Sequence, residues 1–385
     1  MMNFGKSSAD KYLTTVFQLY GVWYYEKPAI LQHVHTFLTF FILASWISFL
    51  DLGVVLSDNL AVATDALSVA IPTSVCFVKT MNFYVNRRRM YSCLKRVHDF
   101  QLLDPEEKDF ANNQLRIFFI FTVSYALICN LTITFVSWHV MWLKEPELPF
   151  VGWYPFDWEH NNRDFWIVQS IQFYGMFYAV NVNIACELFP CYFLTVIGCQ
   201  LELLGMRLQK LNAEFSEKNR KSSAMIEKLI DSHVRTHYYI INLTQDVQKS
   251  FNCPFFVEIC TVGVTITANA FQVSFLVARS KLGDHDLAQY AHYVTYIICT
   301  VFRIFLPCYF GNLVLSASEA LQIRIYSSDW LNMSIPCRKK LITLRERIKR
   351  PTLIWAWILF PLTLEIFKSI INFSYTMLTL LQNMN

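Results

Sequence analysis

IFFIFTVSYALICNLTITFVSWHVMWL, Ile117 to Leu143, runs for 27 residues without one Asp, Glu, Lys or Arg. A helix rises 1.5 Å per residue, so about 20 apolar residues cross a hydrocarbon core, where no water pairs with open backbone groups. The stretch is long enough to span, and it has company. Ala29–Leu50, Phe165–Cys186 and Ile259–Ala278 are equally free of charge. Three more runs approach the same length with few ionisable groups: Leu60–Val85 carries Asp65 and Lys79, Leu287–Ser316 contains Arg303, and Pro351–Gln382 holds Glu365 and Lys368. The expectation is an all-α membrane protein of seven transmembrane helices in a single domain, with spans at about 29–50, 60–85, 117–143, 165–200, 255–279, 287–316 and 351–382.

Composition agrees. Of 385 residues 54% are apolar and 16% charged, against about 25% charged in soluble domains. A net charge of +4 is too small to argue for nucleic acid. The basic residues are instead sorted by loop. The N-terminal segment has three, residues 84–116 seven, 202–254 eight and 319–350 eight, twenty-six in all; residues 51–59, 144–164, 279–286 and the C-terminal tail hold four together. Lys and Arg are retained in the cytoplasm during insertion. The N-terminus is therefore expected inside and the C-terminus outside, the reverse of a G-protein-coupled receptor, whose D-R-Y and N-P-x-x-Y motifs are also missing. The N-terminus lacks the pattern of a cleaved signal peptide, so the first span is expected to serve as the targeting signal.

Helices are expected to continue beyond the membrane. Between Ser222 and Phe251, residues Ile226, Leu229, Ile230, His233, His237, Ile240 and Ile241 recur at three- and four-residue spacing. Leu201–Leu211 prolongs the fourth span, and RKKLITLRERIKR, Arg338–Arg350, forms a basic helix before Pro351. Together these form a cytoplasmic packing layer; for the last, lying on anionic headgroups is the competing role. None of the eleven cysteines forms a C-x-x-C pair, and no structural disulfide is expected. His233 and His237 have metal-pair spacing without a third ligand, so neither a metal site nor a cofactor is expected. No carboxylate pair, nucleophile with base, or phosphate loop shares a membrane depth, so no catalytic residue is assigned. Glu187 and Arg303 are placed to meet lower in the bundle, and Glu365 and Lys368 to pair along one helix, in structural roles.

Two short motifs stand out. LPFVGWYPFD, Leu148–Asp157, is an aromatic, proline-rich loop expected to fold over the bundle mouth. Near the C-terminus come Tyr326-Ser-Ser-Asp-Trp330, Arg338-Lys-Lys, Pro351, Phe367 and Ser374-Tyr375 through Gln382. In length, helix count, topology and these motifs the whole chain resembles the insect odorant receptor family. The resemblance implies a ligand-specific tuning subunit of an odorant-gated, nonselective cation channel in the plasma membrane of olfactory sensory neurons. It further implies assembly with the odorant receptor co-receptor (Orco) into a heteromeric, tetrameric channel in the lipid bilayer. The short connection between spans four and five differs from the co-receptor's long insertion. The alternative is a gustatory-type homomeric channel, whose T-Y, five apolar residues, then Q is departed from by Ser374 and by Gln382 seven residues beyond Tyr375.

Volatile ligands call for a dry apolar cavity with few polar groups in the outer half of the bundle. Helical spacing and depth nominate Leu131, Thr134, Phe135 and Trp138 in the third span, Phe173, Tyr174, Phe177 and Tyr178 in the fourth, and Tyr293, Tyr296 and Thr300 in the sixth, with Val69 and Thr73 completing the lining. Packing or lipid contact is the competing role for each aromatic. By resemblance the seventh helix lines the pore, and Leu378, Leu381 and Gln382 fall at the hydrophobic gate, with ordinary packing as the alternative for the leucines.

Overall fold

The computed structural model describes residues 2–4, 7–26, 30–57, 60–140, 148–217, 223–280, 287–327, 330 and 333–384. The span ends at Ala29 and 141–143, and Ser328 and Asp329 of the C-terminal motif, lie outside the described residues. Helices dominate: α1 (Ser8–Leu19), α2 (Ile30–Val55), α3 (Leu60–Asp99), α4 (Pro105–Val140), α5 (Asn162–Glu217), α6 (Ser223–Ser280), α7 (Leu287–Tyr326), α8 (Ile335–Ile348) and α9 (Leu364–Met384). Two short antiparallel pairs join them, β1 (Met2–Asn3) with β2 (Gln101–Leu102), and β3 (Trp355–Ala356) with β4 (Phe360–Pro361).

Six helices among the described residues, α2 to α7, are long and apolar enough to cross a membrane. α9, with 21 residues, adds about 31 Å of helix. Burial separates centre from rim: the most apolar window of α5 is 89% buried and that of α2 only 28%. α5 is the hub, packed on α7, α4, α6 and α3, while α2 shows Phe37, Leu38 and Phe41 to the outside. Large apolar side chains exposed in this way suit a lipid surround, where nothing drives them inward.

The seventh run differs from expectation. Pro351–Ile354 is not helical, β3 and β4 turn back on each other, and the helix starts at Leu364. The cause is local. Trp357 adopts φ 57° at the hairpin tip, and Pro361 supplies no N–H for a helix to extend backward from Leu364. The turn is secured by Leu362 N donating to Ile354 O at 2.8 Å. α9 then lies on α6 through small residues: Ser374 is buried, and Thr267 donates to Ser374 O at 3.4 Å and to Gly263 O at 2.9 Å.

At the basic end of the bundle the long helices run on together into a second packed layer. α8 buries Cys337, Leu341, Leu344 and Ile348, while Lys340 reaches Asp231 at 2.7 Å and Glu227 at 2.9 Å on α6. Arg207 forks onto Glu107 with two 2.8 Å contacts, both side chains buried, and donates to Gln101 O at 2.8 Å. Arg96 pairs with Asp246, and Arg324 with Glu202, each at 2.5 Å. Much of the basic charge thus serves to join helices rather than to face lipid. α1, absent from the sequence reading, is capped by Ser7 accepting from Asp10 N at 3.2 Å, and inserts Leu13 and Phe17 into this layer; Phe17 stacks on Phe83 at 3.8 Å.

His233 and His237 point into the same layer and are both buried. Burial depresses each from 6.5 to about 4, reinforced by the Arg207 cation for His233 and the Arg347 cation for His237. Both are neutral when packed, whereas the unfolded chain binds a proton at each between these pH values. Their stabilisation is complete above about pH 6.5 and is lost as pH falls toward 4, at roughly 3 kcal/mol per histidine in the acid limit. Hydrogen exchange across α6 in detergent-solubilised protein is expected to accelerate over that window, and the double substitution His233→Phe, His237→Phe to flatten the profile. An unchanged acid profile in the double variant assigns the transition to other groups.

Candidate ligand-binding site

A cavity of about 80 Å³ lies between α3, α4, α5 and α7, several times the roughly 10–15 Å³ that one water needs. Each helix offers one stripe at turn spacing: Val69, Thr73 and Cys76 from α3; Tyr125, Cys129, Thr132, Ile133 and Val136 from α4; Met176, Ala179, Val180 and Asn183 from α5; His292, Tyr296, Cys299, Thr300 and Arg303 from α7. These stripes are rich in small and weakly polar residues, which let membrane helices approach closely. The roof is Phe150. Its backbone is clamped by Gln172, which accepts from Phe150 N at 3.2 Å and donates to Phe150 O and Tyr154 Oη at 2.9 Å each. The loop is further pinned where Trp153 N donates to Phe49 O at 2.9 Å and Gly152 lies on Gly53, so close that a Cβ on Gly53 would stand 2.6 Å from Gly152 Cα.

Pro72 sits in the α3 wall. Proline has no N–H, so the carbonyl four residues earlier loses its helical partner. That carbonyl, Ser68 O, accepts from Tyr296 Oη at 3.0 Å instead. The tyrosine thus bridges α7 to α3 across one side of the cavity. Beside it Tyr293 donates to Asp65 at 2.7 Å.

The floor is charged. Lys79 and Arg303 each contact both Glu187 and Glu258, with Lys79 Nζ to Glu187 at 3.1 Å, Arg303 Nε to Glu187 at 3.1 Å and Arg303 Nη2 to Glu258 at 2.6 Å. None of the four is more than 7% exposed. Tyr125 and Asn183 complete the shell by donating to Glu187 at 2.8 and 2.6 Å. Two cations and two carboxylates make a neutral ring tying α3, α5, α6 and α7. Charges removed from water persist only when paired and hydrogen-bonded in this way.

Of the residues nominated from spacing, Val69, Thr73, Tyr296 and Thr300 border the cavity. The α4 nominees turn the other way: Leu131, Phe135 and Trp138 are 58%, 47% and 60% exposed, and Thr134 is exposed beside them. On α5, Tyr174 and Phe177 also face out, Phe173 stacks on Phe177 at 6.1 Å, and Tyr178 bonds Thr39 at 2.6 Å toward α2. Tyr293 lies next to the lining and is engaged with Asp65. The reason is the solvent. In a bilayer the bulkiest apolar face of a helix meets lipid and the smaller, more polar face turns inward, so aromatic crowding marked the outside. The inward signal was the run Tyr125, Cys129, Thr132, Val136. Glu187 and Arg303 meet as expected, joined by Lys79 and Glu258. Glu365 and Lys368 are both exposed on α9. Leu378 is half-buried on α9, and the side chains of Leu381 and Gln382 lie outside the described residues.

Comparison with known proteins gives one answer. The sequence profile described as 7tm Odorant receptor matches residues 59–375. Odorant receptor 94a of Drosophila melanogaster is 28% identical over 96% of both chains, and Odorant receptor 2a of the same fly 23% identical over 84% of this chain and 83% of its own. Among solved structures, the insect olfactory receptor OR5 from Machilis hrabei in complex with eugenol superposes with a TM-score of 0.79 at 17% identity, covering 98% of this chain and 99% of that one. A second structure of the same receptor gives 0.78 at 16% identity, covering 98% of both chains. The fold is the seven-helix membrane fold of those receptors. The match across most of its length, on a bundle of apolar helices with a cavity between them, makes this chain a member of the insect odorant receptor family, a multi-pass membrane protein of olfaction.

Proposed function

We propose that the chain is the odorant-binding subunit of an odorant-gated, nonselective cation channel, and that the cavity between α3, α4, α5 and α7 receives the odorant. The observation that carries the reading is the cavity itself: it lies between four helices, is apolar in most of its wall, roofed by Phe150 and floored by paired charge, as a site for a small, mostly apolar molecule requires. The basic end faces the cytoplasm, following the distribution of Lys and Arg. Orco supplies the partner subunits of a tetrameric channel in the plasma membrane of olfactory sensory neurons, and α9 lines the pore with Leu378, Leu381 and Gln382 at its constriction. Odorant opens the pore to the extent that it binds the open arrangement better than the closed one.

Cavity filling tests this directly. Thr73 is 5% exposed on the α3 wall, and Thr73→Phe is expected to shift odour dose-response curves to at least about tenfold higher concentration at unchanged surface labelling, the loss of roughly 1.4 kcal/mol or more of binding. Currents are recorded with and without co-expressed co-receptor. Unaltered curves dismiss the cavity as the odorant site, and full currents from the chain alone dismiss the tuning-subunit role.

A further inference from the structure

Almost every polar side chain around the cavity has already committed its proton inside the protein. Thr73, Thr132 and Thr300 donate to the carbonyls of Val69, Ile128 and Tyr296 at 2.7, 2.9 and 2.9 Å. Tyr296 donates to Ser68 O at 3.0 Å, and Tyr125 and Asn183 donate to Glu187. Arg303 is engaged by the two carboxylates beneath. His292 differs. It borders the cavity one turn before Tyr296, on whose ring its own lies nearly parallel, 6.1 Å between centroids and 15° between planes, with Tyr293 5.0 Å to the side. Its Nδ1 is buried and, among the described residues, has no hydrogen-bond partner. Buried polar atoms are nearly always paired, and an exception in a binding cavity marks where a guest's polar atom belongs.

We propose that His292 is the polar recognition element of this cavity, and that its ligands are small apolar molecules carrying one hydroxyl group, which pairs with His292 Nδ1. The proposal rests on the cavity being the odorant site. A hydroxyl is singled out because it both donates and accepts, so it satisfies Nδ1 in either neutral tautomer. A hydrocarbon of the same shape fills the same volume and leaves the nitrogen unpaired. A site built around a hydrogen bond discriminates strongly against the analogue lacking it, because its own buried group is then stranded. Arg303, at the opposite pole and neutralised by Glu187 and Glu258, offers no net charge to attract an acid.

The test uses hydroxyl and methyl isosteres, such as benzyl alcohol with ethylbenzene and 1-hexanol with heptane, extended to a panel of such pairs. Currents are recorded from the full chain with co-receptor. The readout is the potency ratio within each pair, and its change on substitution, so that partition into the membrane cancels. The native chain is expected to favour hydroxyl members, and His292→Phe to lower the ratio about tenfold, the effect of one lost hydrogen bond. His292→Asn, whose amide brings a polar atom near the position of Nδ1, is expected to restore part of it. If His292→Phe does not reach the surface, the same ratio is read from His292→Leu. Ratios that stay the same in these variants overturn the role of His292, while Thr73→Phe still suppressing both members of each pair leaves the cavity reading intact. Thr73→Phe suppressing neither, or silence across the whole panel, overturns the cavity reading and the proposal with it.

Discussion

Glu258→Ala is expected to destabilise the protein by about 3–5 kcal/mol, the range found when one partner of a buried ion pair is removed. Glu258 is buried against Lys79 and Arg303, and its deletion leaves two cations facing the single carboxylate of Glu187. The surplus positive charge sits among apolar helices, whose low dielectric screens it weakly. Removing one charge of each sign behaves differently. Lys79→Met with Glu258→Leu leaves Arg303 and Glu187 as a neutral pair of good geometry at 3.1 Å, so the double variant is expected to recover most of the loss. Thermal unfolding of the detergent-solubilised protein, followed by tryptophan fluorescence and compared with surface labelling in cells, measures both. A single variant as stable as the native chain, or a double variant no better than the single, refutes the neutral-ring account.

The second large effect is expected at Gly311 of α7. A Cβ built there would lie 2.5 Å from Leu362 O and 2.8 Å from Leu362 Cβ. The nearer atom is backbone, so no rotamer change relieves the contact. Leu362 N is also fixed by its bond to Ile354 O at 2.8 Å, which ties the clash to the hairpin immediately before α9. Gly311→Ala is expected to cost about 1–3 kcal/mol as overpacking, and Gly311→Val more. Because the displaced segment leads directly into α9, channel current is expected to fall further than surface expression does. Equal thermal midpoints and currents for Gly311→Ala and the native chain show that the segment yields freely.

The fold was legible because hydrophobic length is dictated by bilayer thickness, and a run such as Ile117–Leu143 has few alternatives. The packing layer was legible from the period of Ile226, Ile230, His233 and His237. Two features resisted. Glu258 ended the run that starts at Ile259 and Lys79 sat near the end of another, because hydropathy treats a charge as a border even where a partner on another helix neutralises it. The α7 position of Arg303 was visible, but its second carboxylate was not. Of the residues that spacing nominated, Val69, Thr73, Tyr296 and Thr300 border the cavity, whereas Leu131, Phe135 and Trp138 face away from it on α4. Both faces of that helix are apolar, so period alone leaves its rotation open; side-chain size and weak polarity carry the information instead. Pro351 was taken as the start of a helix, a position proline favours, but Pro361 interrupts the helical ladder and Trp357 at φ 57° turns the segment into a hairpin.

α3, α5, α6 and α7 run for 40, 56, 58 and 40 residues, and each has a proline within it, Pro72, Pro190, Pro254 and Pro307. Every one of these leaves a rung of the helical ladder missing. In α6 the rod extends about 47 Å from Pro254 back to Ser223. Swinging that arm by about 5° sweeps its tip through about 4 Å, a displacement far larger than the shift of any single wall residue around a small guest. Mechanical advantage of this kind is available to a receptor in which Glu258, one turn from that fulcrum, is tied to Arg303 of the cavity wall and whose arms meet in one layer beyond it.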